Sequence, residues 1–211
     1  MIKIAPSILA ADFSELGSEI QSINNADFIH IDVMDGRFVP NITIGPCVVA
    51  SLRNKTDILF DVHLMIENPL KYIESFAQSG SDYISVHIEQ SDDIGLCIEE
   101  IKKCGKKAGL AISPDTDCSL LAPYIRDVDI ITVMSVHPGF GGQKFIESTY
   151  EKIRTVSKMI KGKNCLLSVD GGVTLENIGK LAECGITVAV AGNTVFKADD
   201  RKDIIDRLRL L

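Results

Sequence analysis

Three short stretches hold the residue types that do chemistry. HIDVMD (30–35) carries His30 and Asp32, DVHLM (61–65) carries Asp61 and His63, and SVDGG (168–172) carries Asp170. Strand alternation sends His30, Asp32 and Met34 to one face of the first stretch and Ile31 and Val33 to the other. In the second, Asp61, His63 and Met65 share a face; in the third, Ser168 and Asp170 oppose Leu167 and Val169. The apolar sets belong against covering helices, so the polar sets point inward. A buried carboxylate without a partner is costly. Two carboxylates and two imidazoles with no thiolate would be compensated by a divalent ion such as zinc, iron or manganese, held by His30, Asp32, His63 and Asp170. An isolated H-x-D on a strand is commonly a hydrogen-bonded structural pair. Here the second strand-end histidine and the Asp170-Gly171-Gly172 turn favour the metal. His87 and Glu89 also alternate inward and read as support for the ligands. Asp61 reads as a satisfied core acid or as a partner orienting a histidine.

Elements that could position these groups recur along the chain. Strand-like runs fall near 2–9, 28–35, 59–66, 83–89, 107–113, 130–136, 166–172 and 188–193. Between them lie apolar-periodic helices such as 14–23, 69–79, 94–104 and 174–184, and a last helix spans 201–211. Eight strand-helix units without a linker predict a single α/β domain over 1–211, a (β/α)8 TIM barrel. A doubly wound open sheet is the alternative. Against it, no GxGxxG follows the first strand, and polar residues end several strands rather than one or two. All four histidines, His137 included, fall in or just after a strand, where a barrel keeps its site.

Glycines follow the last three strands. SVHPGFGGQKF (135–145) places Gly139, Gly141 and Gly142 after the sixth, Gly171-Gly172 follow the seventh, and Gly192-Asn193 follow the eighth. Without a Cβ, such loops let backbone N–H groups approach an anion, and the last loops of a barrel commonly hold phosphate.

Composition narrows the partners. With 29 acidic against 22 basic side chains, a net charge of -7 and no tryptophan, the chain has no basic stripe for nucleic acid. No apolar run reaches the roughly 18–20 residues of a membrane helix, and MIKIAPSIL lacks the apolar length of a signal peptide. A cytoplasmic chain is the expectation. Its six cysteines, scattered without CxxC pairs, read as reduced thiols.

IAPSILAADF (4–13), HIDVMDGRFVPNITIGP (30–46), DVHLMIENP (61–69), VMSVHPGFGGQKF (133–145), VDGGV (169–173) and AGN (191–193) together resemble the ribulose-phosphate 3-epimerases, nearly end to end and in the family's order. The resemblance implies a barrel of the ribulose-phosphate-binding type that interconverts D-ribulose 5-phosphate and D-xylulose 5-phosphate through a cis-enediolate. It implies His30, Asp32, His63 and Asp170 as ligands to one divalent ion, zinc first, with iron, manganese or cobalt as alternatives. Asp32 and Asp170 would also be the acid-base pair, one on each face of the sugar, with the ion as Lewis acid. Ser7, Met34, His63, Met65 and Met134 would touch substrate. Gly139, Phe140, Gly141, Gly142, Gly171, Gly172, Gly192 and Asn193 would grip its phosphate. Homo-oligomers are implied as well. His137 stands where many members have Asn or Glu, and Asn193 where Ser is frequent, which bears on phosphate contacts and not on the chemistry. Two other readings are an epimerase of six-carbon ketose phosphates such as allulose 6-phosphate, and a non-catalytic sugar-phosphate sensor. The second would predict decay of the acid-base pair or ligands, and none is seen.

Overall fold

The structure is a computed structural model that describes residues 1–90 and 93–210. Eight parallel strands are present: β1 (Lys3–Pro6), β2 (Phe28–Met34), β3 (Leu59–Met65), β4 (Tyr83–His87), β5 (Lys107–Ile112), β6 (Ile130–Met134), β7 (Leu166–Asp170) and β8 (Val188–Ala191). Hydrogen bonding runs in the order β1-β8-β7-β6-β5-β4-β3-β2, and a parallel bridge between Ser7 and His30 joins the two ends. This is the TIM barrel expected from the alternation of strands and helices.

The helices are α1 (Leu16–Ser22), α2 (Pro46–Arg53), α3 (Ile73–Gln78), α4 (Ile94–Lys103), α5 (Thr149–Met159), α6 (Ile178–Glu183), α7 (Asn193–Phe196) and α8 (Arg201–Leu210). In α4 the Asp93 carboxylate caps the first turn by accepting from the Leu96 N–H, and Lys102 and Lys103 sit in the last turn, both favourable to the helix dipole. Three helices, α2, α5 and α7, add to those the periodicity named. Among the described residues no helix is long and apolar enough to cross a membrane.

Several elements are shorter than the patterns suggested. The first strand stops at Pro6 because Ile8–Ala10 coil into a 3-10 turn, with the Ser7 hydroxyl accepting from the Leu9 N–H. The seventh stops at Asp170 because Gly171 and Gly172 take φ of 118° and 64°, which a strand cannot continue. Two helical stretches open with a 3-10 turn, at Phe13–Glu15 and Pro69–Lys71, and the 174–184 stretch is helical only over Ile178–Glu183. The final helix is seen to Leu210, and Leu211 lies outside the described residues.

Packing divides the barrel into zones. Outward strand residues such as Ile31, Val62, Leu110, Val133 and Val169 join the helices in one large apolar core. Inside, Ala5, Phe28, Ile130, Val188 and Val190 fill one end, while Met34, Val39 and Met65 pack at the other with Leu9 and Phe38. His30, Asp61, His63, Ser85, His87, Thr132 and Ser168 are buried polar residues on the inward-facing positions of the strands. Register sets their neighbours: β2 pairs with β3 so that His30 lies beside Asp61 and Asp32 beside His63.

Candidate metal centre and active-site cavity

Strands β2, β3 and β7 bring His30, Asp32, His63 and Asp170 together, with one ligand atom from each within 4.8 Å of the others. His30 Nε2 lies 3.4 Å from Asp32 Oδ1 and 3.6 Å from Asp170 Oδ2. His63 Nδ1 lies 3.5 and 3.8 Å from the same two oxygens. Ligand atoms about 2.0–2.2 Å from a tetrahedral ion are about 3.3–3.6 Å apart, so the separations fit one small divalent cation. Both nitrogens are buried and have no hydrogen-bond partner among the described residues. A buried polar atom left unpaired is unfavourable, and a cation between these two would satisfy both. The donor set therefore fits the group the sequence called for.

The other nitrogen of each ring is held differently. His30 Nδ1 is 2.8 Å from Asp61 Oδ2, which settles Asp61 as a partner of the histidine rather than an isolated core acid. His63 Nε2 is 2.8 Å from His87 Nε2, and His87 Nδ1 is 2.9 Å from Glu89 Oε2. Around Asp32, the Ser7 hydroxyl donates to Oδ2 at 2.6 Å and the Thr43 hydroxyl to the backbone carbonyl at 2.6 Å. Ser135 donates to the carbonyls of Asp170 at 2.9 Å and Gly171 at 2.6 Å, fixing the turn that carries the fourth ligand. Thr43 and Ser135 were not singled out from sequence. Hydroxyls bonded to main chain leave no periodic mark.

Burial by itself would lower the pKa of His30, but the Asp32 and Asp61 carboxylates outweigh it and hold the imidazole well above its ordinary value. Burial acts on Asp32 in the opposite sense, and the neighbouring His30 and His63 more than offset it, keeping the carboxyl well below its usual range. A cation facing His30 Nε2 would need the same lone pair that a proton there would occupy. Burial lowers His87, and although burial alone would raise Glu89, hydrogen bonds from His87 and Thr116 bring it down to about 2.

A cavity of about 250 Å³ opens above these groups. Ser7, Asp32, Met34, Met65, Met134 and Asp170 line its lower part, and Gly139, Phe140, Gly141, Gly142, Gly171, Gly172, Gly192 and Asn193 line the rim. His63, expected to touch substrate as well, does not line it: the ring is fully buried beneath the wall, so only its ligand nitrogen faces the site. His137 lies on the rim with its side chain 63% exposed.

Glycine is required at two rim positions. A Cβ on Gly171 would sit 2.4 Å from Val136 Cγ2, and one on Gly172 2.6 Å from the Phe145 backbone nitrogen, both at positive φ. The loop after β6 is tied across itself and to the loop after β2. Gln143 donates to the carbonyls of His137 and Phe140, and Asn41 donates to the Gly139 carbonyl at 2.8 Å.

Comparison with known proteins gives fold and family separately. Among solved structures, 3-hexulose-6-phosphate synthase from Salmonella typhimurium superposes with a TM-score of 0.72 at 18% identity, over 99% of this chain and 97% of that one. A tryptophan synthase α-subunit from Pyrococcus furiosus gives 0.73 at 14% over the whole of both chains. At such identities the likeness is one of fold. Sequence relatives are much nearer: ribulose-phosphate 3-epimerase of Bacillus subtilis is 49% identical over 99% of both chains. The chloroplastic ribulose-5-phosphate-3-epimerase of Arabidopsis thaliana is 47% identical over 99% of this chain and 76% of that one. With residues 3–196 also matching the family pattern, the chain belongs to the ribulose-phosphate 3 epimerase family.

Proposed function

We propose that the protein is a metal-dependent isomerase that inverts C3 of D-ribulose 5-phosphate to give D-xylulose 5-phosphate, with Asp32 and Asp170 as its acid-base pair. The observation that carries this reading is the meeting of two buried, unpartnered imidazole nitrogens with two carboxylates beneath a glycine-rimmed cavity. The barrel over 1–211 is the one catalytic domain.

Inverting a centre beside a carbonyl requires a proton to leave one face and another to arrive on the opposite face. One base cannot serve both. Asp32 on β2 and Asp170 on β7 are separated around the barrel by two strands, β1 and β8, and so reach a ketose from different sides. One carboxylate accepts the C3 proton while the C–H electron pair moves toward the adjacent carbonyl. The other, protonated, returns its proton to C3 from the far side. The two exchange protonation states, and the reverse reaction starts from the state the forward one leaves.

His30, Asp32, His63 and Asp170 would hold a divalent ion, zinc first with iron, manganese and cobalt as alternatives, and it would supply positive charge for the substrate oxygens. Ser7 fixes Asp32 through Oδ2 and leaves Oδ1 toward the two imidazoles. Met34, Met65 and Met134, nearly fully buried, exclude water from the reacting carbons. The glycine rim presents main chain to the phosphate.

Deuterium entry at C3 of ribulose 5-phosphate in D2O, followed by NMR with the metal content measured alongside, tests the reading. Wash-in that depends on loaded metal is expected. A fully metallated sample without wash-in would favour the sensor, and faster turnover of allulose 6-phosphate would favour the six-carbon substrate.

A further inference from the structure

His63 and His87 pose a problem of proton placement that the metal ligands alone do not resolve. Their Nε2 atoms are 2.8 Å apart and their rings are within 19° of coplanar, so one nitrogen must donate and the other accept. A neutral imidazole carries its proton on one nitrogen only. Which one His63 uses decides whether Nδ1, the atom aimed at Asp32 and Asp170, has a lone pair to offer.

We infer that Glu89, acting through His87, is a positioning residue that keeps the proton of His63 on Nε2 and so holds Nδ1 open for a cation. This rests on the metal site proposed above. Glu89 Oε2 lies 2.9 Å from His87 Nδ1, and Oε1 accepts the backbone N–H of Ser113 at 2.8 Å. A carboxylate can only accept. It therefore demands the proton of His87 on Nδ1, which leaves His87 Nε2 as an acceptor, which in turn demands the proton of His63 on Nε2.

The opposite arrangement fails at two places. It sets the lone pair of His87 Nδ1 against a negative oxygen, and it puts a proton on His63 Nδ1 where the cation belongs. One carboxylate thus dictates three hydrogen-bond directions in sequence.

Glu89 is itself fixed from outside the site. Ser113, whose N–H it accepts, gives its carbonyl to Lys152 Nζ at 2.7 Å, and Lys152 also holds the Thr116 carbonyl. The relay is therefore anchored by α5 and by the loop after β5, elements that supply none of the four ligands. By contrast His30 needs only Asp61, bonded directly to its Nδ1.

Glu89→Gln is the informative variant. The two bonds use different oxygens, and the amide turns one of them into an NH2 donor that faces either the His87 ring N–H or the Ser113 N–H, so one of the two bonds is lost. Competition titration with zinc and a chromogenic chelator should show affinity weakened about 10–100-fold, while turnover at saturating metal falls much less. His87→Gln, whose carbonyl can accept from His63 Nε2, should keep more affinity than His87→Leu, which cannot.

The unmodified chain supplies a second readout that needs no variant. Long-range 1H-15N NMR of the imidazoles should find the protons on His63 Nε2 and His87 Nδ1. Protons on the opposite nitrogens, or Glu89→Gln binding zinc as tightly as the parent chain, would overturn the relay and leave the metal site standing. A parent chain that takes up no divalent ion would sink the metal site itself.

Discussion

The floor beneath the cavity is a cluster of side chains on β2, β3 and β7, with His30 and His63 fully buried below the lining and Asp32 only 6% exposed. Its rim is built from glycine-rich main chain after β6, β7 and β8, where Phe140 stands 54% exposed. Both handle charge, by different means. At the floor His30, Asp32 and His63 are each held through one atom by a named partner, which leaves the other atom turned toward the cluster. At the rim the proposed phosphate contacts come from main chain, and there the absence of a Cβ is what the packing requires at Gly171 and Gly172. The floor should therefore fail through chemistry and the rim through conformation.

The strongest test of that contrast is Asp170→Asn. It should lower kcat by about 10²–10⁴-fold with the melting temperature nearly unchanged, since Asp170 is on the cavity wall rather than in the packed core. Substantial residual epimerisation would break the two-base scheme. Next comes Asp61→Asn, which removes the charge behind His30 without touching the cavity. Zinc affinity should fall about 10–100-fold, measured by chelator competition, and an unchanged value would deny that the floor depends on its supporting acids.

A rim substitution should behave in the other way. Gly171→Ala forces a side chain against Val136 at a φ of 118°, costing about 1–3 kcal/mol in thermal or denaturant unfolding. KM should rise while zinc affinity stays put. Loss of metal with retained KM would mean that floor and rim are not separable.

The smallest effect is one of pH. The folded pKa of Glu89 is depressed from 4.5 to about 2, so its contribution to stability is present above pH 4.5 and is lost as pH falls toward 2. Glu89→Gln should flatten the acid limb of the stability curve over that interval. An unaltered limb would show that the Glu89 end of the floor carries no linked charge.

The barrel and the convergence of His30, Asp32, His63 and Asp170 were legible in the sequence because each left a periodic trace. Alternation assigned Asp32, His63 and Asp170 to the inward face, and the register that pairs Asp32 with His63 conforms to it. Helices α2, α5 and α7 were less legible: α7 is a single turn that begins at Asn193, inside what reads as the end of a strand. The ends of β1 and β7 were overextended because a 3-10 turn and two left-handed glycines interrupt runs that look continuous.

By itself the sequence determined which residue types could bear charge in an apolar interior, because burying them is costly enough to leave few arrangements. Only the tertiary structure decided which nitrogen of each histidine faces the cation position. That depends on whether the neighbour on the adjacent strand is a carboxylate, as Asp61 is for His30, or another imidazole, as His87 is for His63. The same is true of Ser135 and Thr43: each hydroxyl finds its carbonyl only once the loop that carries it is folded against a strand end. Spacing along a chain fixes the face a side chain takes, and contact across the sheet fixes what it does there.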